Sequence, residues 1–487
     1  MKRKRFILAA GACLAAMSLI TPSAIAEPTG PPTFRALAGT GSDTTQDVLN
    51  GLSEVVLGDD PNIPGTDNSK LIASYDAGPI PLTDITTKGT GFPSPTPPPP
   101  DDGDCTFIRP SGSTNGVRAL VRERARVAVE GGQPCLDFAR SSADTSQSPE
   151  FTGRGLTYIP FATDALVYAT RSDSTISRNL TRDQLRQIYD CALPPAAQAN
   201  FRPLLPQFGS GTRTFFLQSL GFAESATFTT DNPCVSDRDP TNPSVGLLEN
   251  TGTLLTDPRH LAPYSIAQYQ SQISGAIPDV TGATVLRNVN SIAPTVKNPP
   301  APNVTYATRT DSTISRNLTT ANLRAVFTDS APCLATFRPL LPPSGSATRA
   351  AFLAQLGISE AEVGNCVGVQ SSENNGTLLT SPLNIAPYSI TAYLSQLAGT
   401  GDVRGRAILR NFNGIVPTVL NTGASFNRLV FNVVPTSKLT VHPTSTVFVG
   451  GSSLVCTNAA TITRFGFGTT NQCGDTTRQT PGGTSLP

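Results

Sequence analysis

This chain predicts an α/β architecture in which one half is duplicated, and three observations carry that expectation. Apolar runs of strand character alternate with amphipathic helical stretches, the pattern of α/β folds. Three strands pass into helices through turns rich in Gly, Ser and Thr: Gly39 to Thr45 (GTGSDTT), Ser111 to Gly116 (SGSTNG) and Gly209 to Arg213 (GSGTR). Finally, the chain says one thing nearly twice. YATRSDSTISRNLT, Tyr168 to Thr181, returns as YATRTDSTISRNLT, Tyr306 to Thr319, with Thr310 in place of Ser172.

The echo continues through the block. NFRPLLPQFGSGTR, ending at Arg213, is matched by TFRPLLPPSGSATR, ending at Arg349. ENTGTLLT at Glu249 is matched by ENNGTLLT at Glu373, and APYSIAQY, ending at Tyr269, by APYSITAY, ending at Tyr393. VLRNVNSIAPTV, ending at Val296, is matched by ILRNFNGIVPTV, ending at Val419. A period of roughly 120–140 residues is far too long for a solenoid, so each copy is expected to be a folding unit of domain size.

Residues 1–26 read as a secretory signal: Lys2, Arg3, Lys4 and Arg5, an apolar run from Phe6 to Ile20, then Ala24-Ile25-Ala26 as a small-x-small cleavage site. The apolar run is too short to favour a membrane span. From Phe34, FRALAGTGSDTTQDVLNGLSEVVL predicts a strand, a turn and a helix, with Ser42 or Thr44 as its cap and Val48, Leu49, Leu52, Val55 and Val56 on one stripe. KLIASYDA predicts a second strand, RPSGSTNGVRALVRERARVA a turn and helix, and CLDFARSSADTS a short strand. Pro93 to Asp104 is a proline-rich excursion expected as an exposed loop.

IPFATDALVYAT has the apolar density of a buried strand. Thr181 and Gln184 form a capping box before a helix carrying Leu185, Ile188 and Tyr189, and Gly221 takes the C′ place of the helix that GSGT opens. The second copy repeats this with Thr319, with GSAT (Gly345 to Thr348) and with Gly357. Asn427–Pro435 and Ser445–Gly450 are expected as late strands, and residues 475–487 as a disordered polar tail.

Eight of the nine cysteines lie beyond the signal, and an even number in an exported chain reads as disulfides. Repeat logic pairs Cys191 with Cys234 and Cys333 with Cys366, one bridge per copy, leaving Cys105–Cys135 and Cys456–Cys473. A metal site is disfavoured: no CxxC occurs, and His260 and His442 are the only histidines. Charge is close to neutral, Trp is absent and no basic stripe exists, which argues against nucleic acid.

The chemistry is expected at the three glycine-serine corners. A helix N-terminus offers unpaired amides and partial positive charge, glycine admits close approach, and hydroxyls add donors, so such corners suit tetrahedral oxyanions. Arg140, at a strand end among Phe138, Ser141 and Ser142, is the candidate for neutralising a bound charge, whereas Arg213 is expected to face solvent.

The ordered series GTGSDTT, SGSTNGV, DFARSS, IPFATDALVYA, LTRDQLRQIY and GSGTR resembles the phosphate-binding component of bacterial ABC phosphate importers, most closely exported actinobacterial homologues. The resemblance covers about Phe34 to Val296 and the NVVPTS stretch. It implies a type II periplasmic-binding-protein-like fold, with two lobes of mixed sheet flanked by helices, plus a repeated second-lobe unit. It also implies ligand contacts at Asp43, Thr44, Thr45, Ser113, Arg140, Ser142, Ser210, Gly211 and Thr212. The expected divisions are a first lobe at 27–160, a second lobe at 161–296, its repeat at 297–420, and C-terminal strands at 421–474 that complete the first lobe.

Two positions depart from that family. Ser142 stands where the family carries a carboxylate that accepts a hydrogen bond from protonated phosphate, and a serine does not exclude fully ionised sulfate unless Asp144 or Asp43 takes that part. Pro206 stands near the place of a family arginine, with Arg140 as the expected substitute.

The leading expectation is an extracellular solute-binding protein for phosphate or a related oxyanion, working without a cofactor and with an ABC permease as partner. A secreted, wall-associated interaction protein with a degenerate cleft is the alternative. A phosphatase is less favoured, because no HExxH, GxSxG or paired-histidine motif is present.

Overall fold

The computed structural model describes residues 35–61, 68–77, 83–88, 105–130, 134–329, 335–397 and 401–482. The expected signal, the proline-rich segment and Cys333, with its expected bridge to Cys366, lie outside the described residues. The other expected bridges are formed: Cys105–Cys135, Cys191–Cys234 and Cys456–Cys473.

The first unit begins with β1 (Leu37–Gly41), α1 (Gln46–Val55), β2 (Ile72–Ser74), α2 (Ser113–Glu130) and β3 (Phe138–Ser141). The long β4 (Leu156–Arg171) leads out of it. The next unit holds α3 (Arg182–Tyr189), β5 (Arg202–Pro203), α4 (Gly211–Leu220), β6 (His260–Ser265), α5 (Ile266–Ser274) and β7 (Thr284–Leu286). Then β8 (Thr295–Lys297) opens the repeat: β9 (Val304–Arg309), α6 (Thr320–Phe327), β10 (Arg338–Leu341), α7 (Ala347–Leu356), β11 (Gly368–Val369), β12 (Asn384–Ser389), α8 (Ile390–Leu397) and β13 (Ala407–Leu409). Finally come β14 (Thr418–Leu420), the long β15 (Phe426–Pro435) and the short α9 (Thr444–Phe448).

The main sheet runs β5-β6-β4-β15-β3-β1-β2, with β7 also pairing β4. β1, β2 and β3 are parallel, while β15 is antiparallel to both β3 and β4. Two cores lie along it. Ile159, Phe161, Val430 and Val434 pack with Val48, Leu49 and Phe138 of the first unit. Leu166, Val167, Tyr168 and Phe426 pack with Leu185, Phe216 and Tyr264 of the second. Thus β4 and β15 are shared by both cores. Their register slips between Val430 and Phe431, near the point where one core gives way to the other.

The capping boxes form as expected, Thr181 with Gln184 and Thr319 with Asn322, and Gly221 and Gly357 close their helices in the left-handed conformation. The cap of α1 differs: Thr45 is the N-cap and makes no side-chain capping bond, because the Thr44 hydroxyl turns to partners across the cleft instead. Ser445–Gly450 is not a strand. Val447 and Val449 donate their amides to Pro443 and Ser445 in helical fashion, and Phe448 packs on Phe138 at 5.1 Å. A short apolar run does not separate strand from helix by periodicity.

The expected disorder from 475 onward is also corrected as far as residue 482. Tyr158 donates its amide to the Arg478 carbonyl and Gly153 to that of Pro481, and Leu156 donates to the Thr480 hydroxyl. The tail thereby satisfies backbone donors at the start of β4 that would otherwise be orphaned.

The two copies meet through a seam with reciprocal contacts. β8 and β14 pair antiparallel, with Val296 opposite Val419, its own counterpart in the repeat. Arg316 pairs with Asp279 and Arg178 with Asp402, and these four are repeat equivalents of one another. Residue i of one copy thus meets residue j of the other, and j meets i, the signature of an isologous, two-fold-related contact. The repeat has its own core around Tyr306, Leu323, Phe327 and Phe352.

Candidate functional site

Folding brings the three corners to one place. The Ser42 amide donates to the Arg140 carbonyl at 3.1 Å, which ties the first corner to the end of β3. The Gly112 amide donates to the Gly41 carbonyl and the Thr114 amide to the Gly209 carbonyl, both at 3.1 Å, so the second corner is joined to the first and third. A Cβ on Gly112 would stand 2.6 Å from that Gly209 oxygen, so only glycine allows the approach.

Hydroxyls line the junction. Thr44 Oγ1 and Thr212 Oγ1 are 3.0 Å apart across the cleft. Ser142 donates its amide to Ser113 Oγ at 3.0 Å, with the two hydroxyls 3.2 Å apart. Ser210 caps α4 by accepting the Arg213 amide at 3.1 Å. Gly211 lies against this pair of serines: a Cβ there would be 2.2 Å from Ser113 Oγ and 2.5 Å from Ser142 Oγ. Thr44, Thr45, Ser113, Ser142 and Thr212 are fully buried. Ser42 Oγ and Thr45 Oγ1, at the head of α1, have no hydrogen-bond partner among the described residues.

Of the residues expected from sequence, Thr44, Ser113, Ser142, Ser210, Gly211 and Thr212 are in this junction. Asp43 lines the crevice beside it with Ser111, Gly112, Ser210 and Glu249. Burial, and then the neighbouring Glu249 and Asp47, push the Asp43 carboxyl well above the usual range, against the lowering pull of Arg140. Asp47, in the first turn of α1, is pushed up to about 6 by burial and by Asp76.

Arg140 stands behind the first corner. It is fully buried and donates to the Ser42 and Tyr75 carbonyls and to Ser74 Oγ, bracing the first corner from behind. Arg213, expected in solvent, is also fully buried, held by Glu224, Asp237 and the Pro206 and Ser225 carbonyls. Asp144 is no substitute for a carboxylate in the cleft; it accepts the Ser146 amide and lies 3.6 Å from Arg478.

The cation at the junction is Arg428 of β15. It donates through Nε and Nη2 to Asp164 Oδ2, through Nη1 to the Ser142 carbonyl and through Nη2 to Thr212 Oγ1. Asp164 also accepts the Ala267 amide at the start of α5. Sequence reasoning missed Arg428, as well as Asn250 and Gln268, which donate to the Thr44 hydroxyl and carbonyl. The signal for Asn250 was on the page, since it belongs to the repeated ENTGTLLT motif; nothing local marked Arg428.

The PBP superfamily domain profile matches residues 28–295. Among solved structures, an ABC-type phosphate transport receptor from Vibrio cholerae is 16% identical, with a TM-score of 0.30, over 53% of this chain and 77% of that one. A phosphate-binding protein from Stenotrophomonas maltophilia is 12% identical with a TM-score of 0.37, covering 90% of this chain and 91% of that one. A human phosphate-binding apolipoprotein is 12% identical with a TM-score of 0.35, over 89% and 90%. No curated protein matches the chain. The profile spans more than half of the sequence and takes in all three glycine-serine corners, and on that ground the chain belongs to the PBP superfamily.

Proposed function

We propose that this chain is an exported solute-binding protein that captures phosphate or a related tetrahedral oxyanion between two lobes and presents it to a membrane permease. The first lobe is residues 27–160 with 421–474, the second is 161–296, and 297–420 is an added unit. The observation that carries the reading is the meeting of three helix-opening corners, with the Thr44 and Thr212 hydroxyls 3.0 Å apart from opposite sides of the cleft. Helix-head amides and hydroxyls supply the donors a tetrahedral anion requires, and Arg428, ion-paired with Asp164, donates to the Thr212 hydroxyl beside them. Asp43, Thr45, Ser113, Ser142, Ser210 and Gly211 complete the ligand surface, while Arg140 acts through the backbone of the first corner.

Calorimetry of the mature protein is expected to give micromolar or tighter affinity for phosphate. Ser113→Ala and Thr212→Ala are each expected to weaken it about tenfold or more, since a hydrogen bond to a charged group contributes roughly 1.5–3 kcal/mol. Absence of heat with phosphate, sulfate, arsenate and phosphonate alike would remove this reading.

A further inference from the structure

The α4 head already faces an anion of the protein's own. Glu249 is buried, and its Oε2 accepts hydrogen bonds from Thr44 Oγ1 at 3.0 Å and Ser210 Oγ at 3.2 Å. These partners are hydroxyls from opposite sides of the cleft, two of the groups placed above on the ligand surface. The same arrangement recurs in the repeat. There Glu373 Oε2 accepts the Ser346 hydroxyl and, at 3.2 Å, the Thr348 backbone amide. That carboxylate therefore sits on the free amides of α7, in the place an external anion takes at a helix head.

The aiming device is common to both copies. Each glutamate is followed by an asparagine in the left-handed region, Asn250 at φ 56° and Asn374 at φ 52°. Each asparagine accepts the amide that precedes the following helix, from Ser265 or Ser389, and donates to a threonine hydroxyl, Thr44 at the head of α1 in the first copy and Thr348 on α7 in the repeat. In the repeat the surface around the head is exposed: Gly345, Ala347 and Glu373 face solvent where Gly209, Gly211 and Glu249 are buried. The motif thus delivers a carboxylate to the helix head whether or not another lobe lies across from it.

Charge makes the consequence specific. Glu249 and Asp43 line one crevice, Asp47 and Asp76 lie behind Asp43, and Asp164 takes up Arg428. A dianion entering beside a charged Glu249 would be repelled by it and would compete with it for the same hydroxyls.

Building on the oxyanion reading above, we propose that Glu249 is the resident anion of the α4 head and sets ligand affinity by competing for the Thr44 and Ser210 hydroxyls. The ligand binds by taking those donors over. Glu373 performs the same capping in the repeat, where it governs no ligand.

The test is calorimetry of the whole mature protein with inorganic phosphate and with sulfate. Glu249→Gln keeps the shape and removes the charge; Glu249→Asp keeps the charge but withdraws it by one methylene from the hydroxyls. Both are expected to tighten binding of both anions at least tenfold, whereas Glu373→Gln leaves affinity unchanged. Phosphate binding by the natural protein, with the Glu249→Gln variant unchanged or weaker, overturns the role given to Glu249 while leaving the oxyanion site standing. Aspartate behaving like glutamate also overturns it, by reducing the effect to charge at a distance. A shift with Glu373→Gln equal to that with Glu249→Gln shows a non-local effect and does the same. Binding by the Gln variant alone supports it in its strongest form. Silence from every protein overturns the oxyanion reading and this inference together.

Discussion

Arg428→Met is expected to destabilise the protein by about 3–5 kcal/mol, the cost of leaving one member of a buried ion pair without its partner. Arg428 and Asp164 have side chains 1% and 0% exposed. Methionine keeps the apolar length against Phe215, whose ring lies 5.7 Å from the guanidinium, but removes donors to Asp164, to the Ser142 carbonyl and to Thr212. For a protein of this size the loss corresponds to a fall in melting temperature of roughly 3–5 °C. Adding Asp164→Asn is expected to return part of that stability, because the asparagine oxygen still accepts the Ala267 amide while no buried charge is stranded. Thermal melts of the single and double variants decide the matter. A single variant as stable as the natural protein, or a double variant worse than both singles combined, would show that the pair does not hold the junction.

Gly211→Ala is expected to leave the lobes folded and to abolish the closed site, with anion affinity falling at least a hundredfold. Alanine at the first turn of a helix is favoured over glycine by up to about 1 kcal/mol, so α4 itself does not suffer. The added methyl, however, would lie 2.2 Å and 2.5 Å from the Ser113 and Ser142 hydroxyls. Ser113 Oγ is fixed by accepting the Ser142 amide, and the Ser142 hydroxyl is held to it at 3.2 Å, so the corner recoils rather than the serines. The molecule contains its own comparison: Ala347 holds the equivalent position in the repeat, where the helix head is exposed. Calorimetry with small-angle scattering tests the claim; affinity within threefold of the natural protein would refute it.

The fold was legible where local chemistry writes it. Gly221 and Gly357 end their helices, Thr181 and Thr319 open theirs, and the three glycine-serine corners fall between a strand and a helix. The repeat paired Cys191 with Cys234, and Cys105–Cys135 and Cys456–Cys473 were the pairs left over. The centre of the site was harder to read because it is assembled from distant sequence. Arg428 meets Asp164 across 264 positions and Thr212 across 216. An arginine within an apolar strand carries no local mark of its partner. The bracing bonds of Arg140 were hidden for the converse reason: a place at a strand end beside two serines fits a ligand contact and a backbone brace equally, and the Ser42 and Tyr75 carbonyls it serves are distant in sequence. Glu249 was visible as half of a repeated motif, yet the hydroxyls it accepts from lie 205 and 39 residues away.

The place of β15 has a consequence for how the polypeptide is made. β3 and β4 are neighbours only through it, and its pairing with β4 extends from Phe426 opposite Leu166 to Pro435 opposite Leu156. During synthesis the whole repeat is therefore translated before the strand that joins the two halves of the principal sheet exists. Spanning so long an insertion costs little at equilibrium, since doubling a loop adds only about 0.6 kcal/mol, but it delays pairing. A nascent chain stopped after residue 420 would contain the entire superfamily segment and still lack Arg428 and the central strand. It is expected to melt without a cooperative transition, whereas the finished protein melts with one; a sharp transition in the shortened chain would show that the two halves can join without their last strand.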